Sequence, residues 1–171
     1  MKRLNYLGHA GFLLEFNKVF FLIDPWLSKN PAFLNTWYKW PDNSFIIAED
    51  RFDFQKVNYI WCSHEHTDHF DPAFLSQLKK SAKIVISDYP SIRLQKYFQN
   101  LGFENFIKLG HLESLKIEED LEITMIIEQP SLTEHSSLFF NSSEFKFFHN
   151  ADTHLSDETI KIFRKKINED I

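Results

Sequence analysis

The feature that most constrains this chain is a β-rich run, Val57-Asn58-Tyr59-Ile60-Trp61-Cys62, that leads into His64-Glu65-His66-Thr67-Asp68-His69 and then Asp71-Pro72. Asp71 suits a helix N-cap and Pro72 the first helical position, so a helix through Leu78 is expected and the polar cluster sits on a strand-to-helix loop. Three histidines and one aspartate within six residues form a dense set of nitrogen and oxygen donors suited to Zn²⁺, Fe or Mn. In an extended segment His64, His66 and Asp68 would alternate to one side, yet three ligands cannot converge on one ion from a straight strand. The backbone must turn within the motif, and the turn lets two metals share it. A lone histidine is more often satisfied by hydrogen bonds alone; this spacing behind a buried strand favours metal binding.

Around the cluster the pattern is that of a layered α/β chain. Strands are expected at Leu4–Leu7, Phe12–Phe16 and Val19–Ile23, joined by turns at Gly8–Gly11 and Asn17-Lys18, as a β-meander. From Asp24 to Pro41 three prolines and the aromatics Trp26, Phe33, Trp37, Tyr38 and Trp40 follow no clean period, the mark of a packed loop over a site. A strand at Lys83–Ser87 and a helix from Pro90 to Leu101, closed by Gly102, come next. Strands then recur at Phe106–Leu109, Leu115–Ile117, Leu121–Ile127, Ser137–Phe140 and Phe145–His149. A last helix runs from the Ser156 cap to about Glu169, with Ile160, Phe163 and Ile167 on one face.

Composition narrows the function classes. With 171 residues and 43% of them apolar, the chain can bury one sizeable core and is expected to form a single domain, 1–171. A net charge of −5 without a basic stripe speaks against nucleic acid. No apolar run approaches the roughly 20 residues that cross a bilayer, so no transmembrane segment is expected. A lone cysteine, Cys62, and an N-terminus without a signal-like block point to the cytoplasm. Cys62 reads as a small hydrophobe on its strand, and His111 and His149 as structural residues.

His64-x-His66-x-Asp68-His69 resembles the signature of the metallo-β-lactamase fold superfamily. Tyr6-Leu7-Gly8-His9-Ala10-Gly11-Phe12 followed by Phe21-Leu22-Ile23-Asp24-Pro25-Trp26 is similar to the opening of its branch of L-ascorbate-6-phosphate lactonase-like and N-acylphosphatidylethanolamine phospholipase D-like proteins. Asp24-Pro25-Trp26-Leu27, the insert with Trp37, Trp40 and Pro41, and Phe148-His149-Asn150-Ala151-Asp152 also resemble CMP-N-acetylneuraminate hydroxylases. The resemblance implies an α/β fold of two mixed sheets flanked by helices, an αββα four-layer sandwich. It implies that His64, His66 and His135 hold a first metal, that Asp68 and His69 begin a second site, and that Asp152 bridges the two. His9 and Asp24 fall near the site, Asp24 as a carboxylate orienting an imidazole, while Glu65 and Thr67 point away from the ligands.

Full-length relatives supply a further histidine well after the bridging aspartate, whereas beyond Asp152 this sequence offers His154 alone. The C-terminal half is therefore expected to be abbreviated. The second site lacks a ligand, recruits water or another side chain, or belongs to a shortened chain. With one helix after the last strand, part of a face carrying Phe139, Phe140, Phe145, Phe147 and Phe148 should lie uncovered, to be met by a second copy as a homodimer, a missing C-terminal segment or another protein.

The implied activity is hydrolysis of an ester, lactone, amide or phosphodiester by a metal-activated hydroxide, with one or two zinc ions (iron or manganese as alternatives) and Asp68 as the catalytic carboxylate acting on a small-molecule substrate. Two alternatives stand beside it: an iron-dependent redox enzyme related to the nucleotide-sugar hydroxylases, and a noncatalytic binding module that kept the fold.

Overall fold

The computed structural model describes residues 2–128 and 135–169, the last four through their backbone alone. The chain resolves into two compact units, Met1–Ile86 with Pro90–Lys108, and Ser87–Tyr89 with Leu109–Ile171.

The first unit carries a six-stranded sheet in the order β1 (Lys2–Gly8), β2 (Gly11–Phe16), β3 (Val19–Ile23), β4 (Tyr59–Trp61), β5 (Lys83–Ser87), β6 (Phe106–Leu109). The first three strands form the expected antiparallel meander, and β3, β4 and β5 run parallel. In those parallel strands Leu22, Ile60 and Ile84 lie side by side and fully buried, as the apolar runs of parallel strands should. Because β3 and β4 are parallel and in register through Ile23 and Trp61, the segments after them, Asp24 onward and Cys62 onward, leave the sheet at the same end. That is where open α/β sheets place their sites.

Helices α1 (Phe45–Ala48), α2 (Pro72–Leu75) and α3 (Arg93–Asn100) and a 3-10 turn at Phe54–Lys56 complete this unit. Asp71 caps α2 as expected, its Oδ1 accepting from Phe74 N at 3.1 Å. The helix stops at Leu75 instead of Leu78 because Gln77 N and Leu78 N bond to carbonyls three residues back, which tightens the chain out of the α-helical pattern. Likewise α3 begins at Arg93, where Arg93 N turns to the Ser91 hydroxyl. Phe98 on α3 is fully buried and meets Phe70 and Phe103 edge-on at 4.9 and 5.7 Å.

The second unit holds a four-stranded sheet ordered β10 (Lys146–His149), β9 (Ser136–Asn141), β8 (Leu121–Ile127), β7 (Ser114–Glu118). Both sheets were expected to be mixed; this one is antiparallel throughout. The reason is local, since connections as short as Glu119-Asp120 can only reverse a strand. Helix α4 (Asp157–Glu169) starts where Ser156 Oγ accepts from Thr159 N, and its Phe163 packs on Phe139 and Phe148 at 4.9 and 5.1 Å. Of the phenylalanines expected on an uncovered face, Phe139 and Phe140 are buried and Phe145, Phe147 and Phe148 half-buried. The Ile167 side chain lies outside the described residues. Among the described residues no helix is long and apolar enough to cross a membrane.

Phe98→Ala would empty the meeting point of α3 and its aromatic neighbours. It is expected to lower unfolding free energy by about 3–5 kcal/mol, read from the urea midpoint at unchanged slope; a loss below about 1 kcal/mol would show that the cluster is not a packing centre.

Candidate metal centre

The site begins with a carboxylate at the end of β3. Asp24, fully buried with φ 39°, donates its backbone N–H to Trp61 O at 3.0 Å, which locks the ends of β3 and β4 together. Its carboxylate accepts from Ser63 N at 2.7 Å and from Ser63 Oγ at 2.9 Å, and Oδ2 lies 2.9 Å from His69 Nδ1. A buried carboxylate is costly unless its lone pairs are filled, and these donors fill them. With Nδ1–H of His69 directed at Asp24, the Nε2 lone pair of that ring is left for a ligand. Ser63 Oγ also lies 2.9 Å from His64 Nδ1, so the same logic turns His64 Nε2 outward, to within 2.9 Å of His66 Nδ1. The rings of His64 and His66 are 4.5 Å apart and those of His64 and His69 4.3 Å.

The expected turn inside the motif is present. His66 O accepts from His69 N at 3.0 Å and from Phe70 N at 2.7 Å, folding Asp68 and His69 back beside His64 and His66. Neighbours clamp that turn: Glu65 Oε1 accepts from Arg93 Nη1 at 2.6 Å, and Thr67 Oγ1 from Phe33 N at 3.1 Å. Asp71, besides capping α2, accepts from Leu27 N and Ser28 N at 3.0 and 2.7 Å, which ties the aromatic loop to the motif. Cys62 is buried and burial pushes its thiol up, so it packs as the small hydrophobe expected.

Asp68 faces His9, a residue the sequence placed near the site without assigning it to the ligand set. Asp68 Oδ2 lies 3.1 Å from His9 Nε2 and 3.5 Å from His69 Nε2. Burial pushes the Asp68 carboxyl up, but the His9 hydrogen bond and the His69 imidazole outweigh it and hold it below the ordinary value. His9, Asp68 and His69 each offer a donor atom, all within 4.8 Å of one another. Asp68 Oδ1 is buried and has no hydrogen-bond partner among the described residues. Such an atom costs about 1–3 kcal/mol if nothing satisfies it, and a cation among these imidazoles would satisfy it. The residues present therefore fit a metal ion.

His9 gets its place from a tight turn. Gly8 has φ 102°, and a Cβ there would come 2.7 Å from Asn43 Nδ2, which donates to Leu7 O and Trp26 O. A glycine pair around a histidine, Gly8-His9-Ala10-Gly11, was the available signal, since it lets the backbone turn sharply enough to aim an imidazole across the strand ends. Aromatic rings surround it: Trp26 and Trp37 stand edge-on to His9 at 5.4 and 5.6 Å, and Phe33 lies 5.6 Å from His66.

His135 and Asp152 lie in the second unit. His135, half-buried, immediately precedes β9. Asp152 is exposed in the turn after β10, where Thr153 N bonds to Asn150 O and Asn150 Nδ2 to Thr153 O. Ser137 Oγ donates toward Asn150 O and Oδ1 at 3.0 Å, so this turn is fastened to the strand that starts beside His135. Thr133 and Glu134 lie outside the described residues. His111 Nδ1 accepts from Ile127 N at 3.1 Å and His149 is buried in β10, the structural roles expected of both.

The sequence profile of the beta-lactamase superfamily domain matches residues 3–164. Over 103 residues, 60% of this chain, it is 41% identical to a protein of Mycolicibacterium smegmatis named a putative Rieske 2Fe-2S iron-sulfur protein, covering 19% of that protein. Over 157 residues, 91% of this chain, it is 28% identical to a metal-dependent hydrolase of Caldivirga maquilingensis, covering 61% of it. The chain thus spans from about a fifth to about three fifths of the length of these relatives. Among solved structures, CmlA, a diiron beta-hydroxylase from Streptomyces venezuelae, matches with a TM-score of 0.69 at 16% identity over 96% of this chain and 32% of that one, a likeness of fold. The profile match across almost the whole sequence, joined to the two-sheet architecture and the histidine turn, makes this chain a member of the beta-lactamase superfamily domain family, with the metallo-β-lactamase fold.

Proposed function

We propose that the chain is a metal-dependent hydrolase acting on an ester, lactone, amide or phosphodiester bond. The observation that carries this reading is the Asp68 carboxylate, whose buried Oδ1 has no hydrogen-bond partner among the described residues and which offers an oxygen within 4.8 Å of donor atoms of His9 and His69. His64, His66 and His135 would hold one ion, Asp68 and His69 would begin a second site, and Asp152 would bridge them; His9 joins this set as a further donor to the Asp68 side. On this reading residues 1–171 act as one domain. The donor set suits zinc first and accommodates iron or manganese. When bound, the cation lowers the pKa of water and polarises the substrate's carbonyl or phosphoryl oxygen.

The side chains supply the remaining work. Asp24 fixes the His69 ring by accepting at Nδ1, and Ser63 does the same for His64. Asp68, kept ionised by His9 and His69, accepts a proton from the attacking water through the carboxylate oxygen that the cation leaves free and returns it to the leaving group. The aromatic loop keeps bulk water away from that carboxylate.

A second reading is redox chemistry with iron, favoured by the 41% identity to a protein named a Rieske iron-sulfur protein. Metal analysis of chain purified without added metal separates the two: stoichiometric zinc with oxygen-independent turnover of ester and lactone substrates supports hydrolysis, and stoichiometric iron with oxygen uptake supports the alternative.

Asp68→Ala is expected to fold and to lose at least about 100-fold in kcat on any substrate so found; near-normal turnover would remove Asp68 from the mechanism. Asp24→Asn keeps the shape but weakens the acceptor that orients His69. Metal affinity, measured by chelator competition, is expected to fall about 10–100-fold, and an unchanged affinity would mean that the Asp24–His69 bond serves folding alone.

A further inference from the structure

Beside the His9–Asp68 pair lies a cavity of about 600 Å³, the size of sites that take ligands of drug-like dimensions. Its wall includes His9, Trp26, Trp37, Tyr38, Trp40 and Phe45. Trp26 is buried, but Trp40 is 95% exposed and Tyr38 65%. Large apolar rings that add nothing to the core are a costly use of surface unless something covers them. The wall also reaches the centre directly, since Trp37 stands 5.6 Å from the His9 ring and His9 Nε2 is 3.1 Å from Asp68 Oδ2.

Charge decides what fits. Lys39 lines the cavity, but its Nζ donates to the Trp26 and Ser28 carbonyls and sits over the Trp26 ring, so it holds the loop and offers little to an anion. Burial lowers its pKa further against the pull of Asp71 and Asp42. Asp42 is also in the wall, and the Ser44 backbone N–H and hydroxyl, each 2.9 Å away, hold its carboxyl below the ordinary value. An incoming phosphate or carboxylate would meet a fixed negative charge and an occupied ammonium.

We propose that this cavity binds an aromatic group of the substrate that carries no negative charge, next to the bond that reacts. The binding stands on the cavity alone; naming the substrates as aryl esters or amides in preference to phosphodiesters rests on the hydrolase reading above. Flat rings fill such a wall edge-on and by stacking, which gives both area burial and ring–ring attraction.

Isothermal titration of the chain as purified with 1-naphthol, an uncharged ring without a bond to cleave, tests the binding apart from turnover. Saturable one-to-one binding is expected, weakened at least about tenfold in Trp40→Ala and in Tyr38→Ala. Both side chains are exposed, so both variants keep the fold, as circular dichroism would verify. 1-Naphthalenesulfonate, the same ring with a negative charge and little affinity for metals, is expected to bind at least about tenfold more weakly than 1-naphthol. No saturable binding, unchanged affinity in both variants, or equal binding of the sulfonate overturns the proposal. Binding of 1-naphthol without turnover of 1-naphthyl acetate by metal-loaded protein supports the pocket and counts against the hydrolase reading, so the two failures are distinguishable.

Discussion

Everything in the centre hangs on one buried carboxylate. Asp24 accepts from the Ser63 backbone and hydroxyl and faces His69 Nδ1, and its own N–H closes onto Trp61 O. These contacts join the end of β3 to the start and the finish of the histidine turn, residues 39 and 45 positions away in sequence. A water-exposed aspartate could not do this, because its hydrogen bonds would trade evenly with solvent; a buried one loses about 1–3 kcal/mol or more for each oxygen left unsatisfied, so the surrounding backbone is held to the geometry that satisfies them. The parallel pairing of β3 with β4 is the condition for it, since that pairing brings both strand ends to one side of the sheet.

The strands were legible in the sequence because β-branched and aromatic runs bounded by turn residues encode them locally. Val19–Ile23, Lys83–Ser87, Phe106–Leu109 and Leu121–Ile127 fall where the pattern puts them. So was the turn within His64–His69, which follows from the impossibility of three ligands converging from a straight strand. The short helix α1 was not legible, since its four residues are fewer than the two turns needed for a period to show, whereas α2, equally short, was legible from its Asp71 cap and Pro72 although its end at Leu75 was not. The antiparallel character of the second sheet was missed for a different reason, since pairing direction is set by connection length and not by composition.

His9 shows where reading a site from sequence stops. Its distance in sequence from Asp68, 59 positions, carries no periodicity, and an isolated histidine is ordinarily structural. Only the glycines around it distinguish it, and their meaning depends on Asn43 occupying the space where a Gly8 Cβ would sit. The third dimension converts a tolerated turn into a requirement: the side chain at Gly8 must be absent so that Asn43 can bridge Leu7 O and Trp26 O, and that bridge sets the floor beneath His9.

The aromatic loop follows the same economy at greater conformational cost. Phe33, Leu34 and Asn35 all have positive φ, of 47°, 55° and 68°, a left-handed run in which each non-glycine residue costs about 1 kcal/mol or more. Leu34 is 98% exposed and offsets none of it by burial. What the run achieves is placement: Thr36 Oγ1 bonds to Phe33 O at 2.7 Å, Ala32 and Trp37 pair as an antiparallel bridge, and the Phe33 ring stacks on Trp37 at 5.6 Å. Phe33 N then reaches Thr67 inside the histidine motif. Strain of this kind persists only where contacts over-determine the backbone, and here all of them converge on the rings beside His9 and His66. A loop needed merely to connect β3 with α1 could relax to negative φ and bury Leu34. The loop in this chain is instead held open, with its rings turned toward the imidazoles, and that arrangement is intelligible as the wall of a binding site.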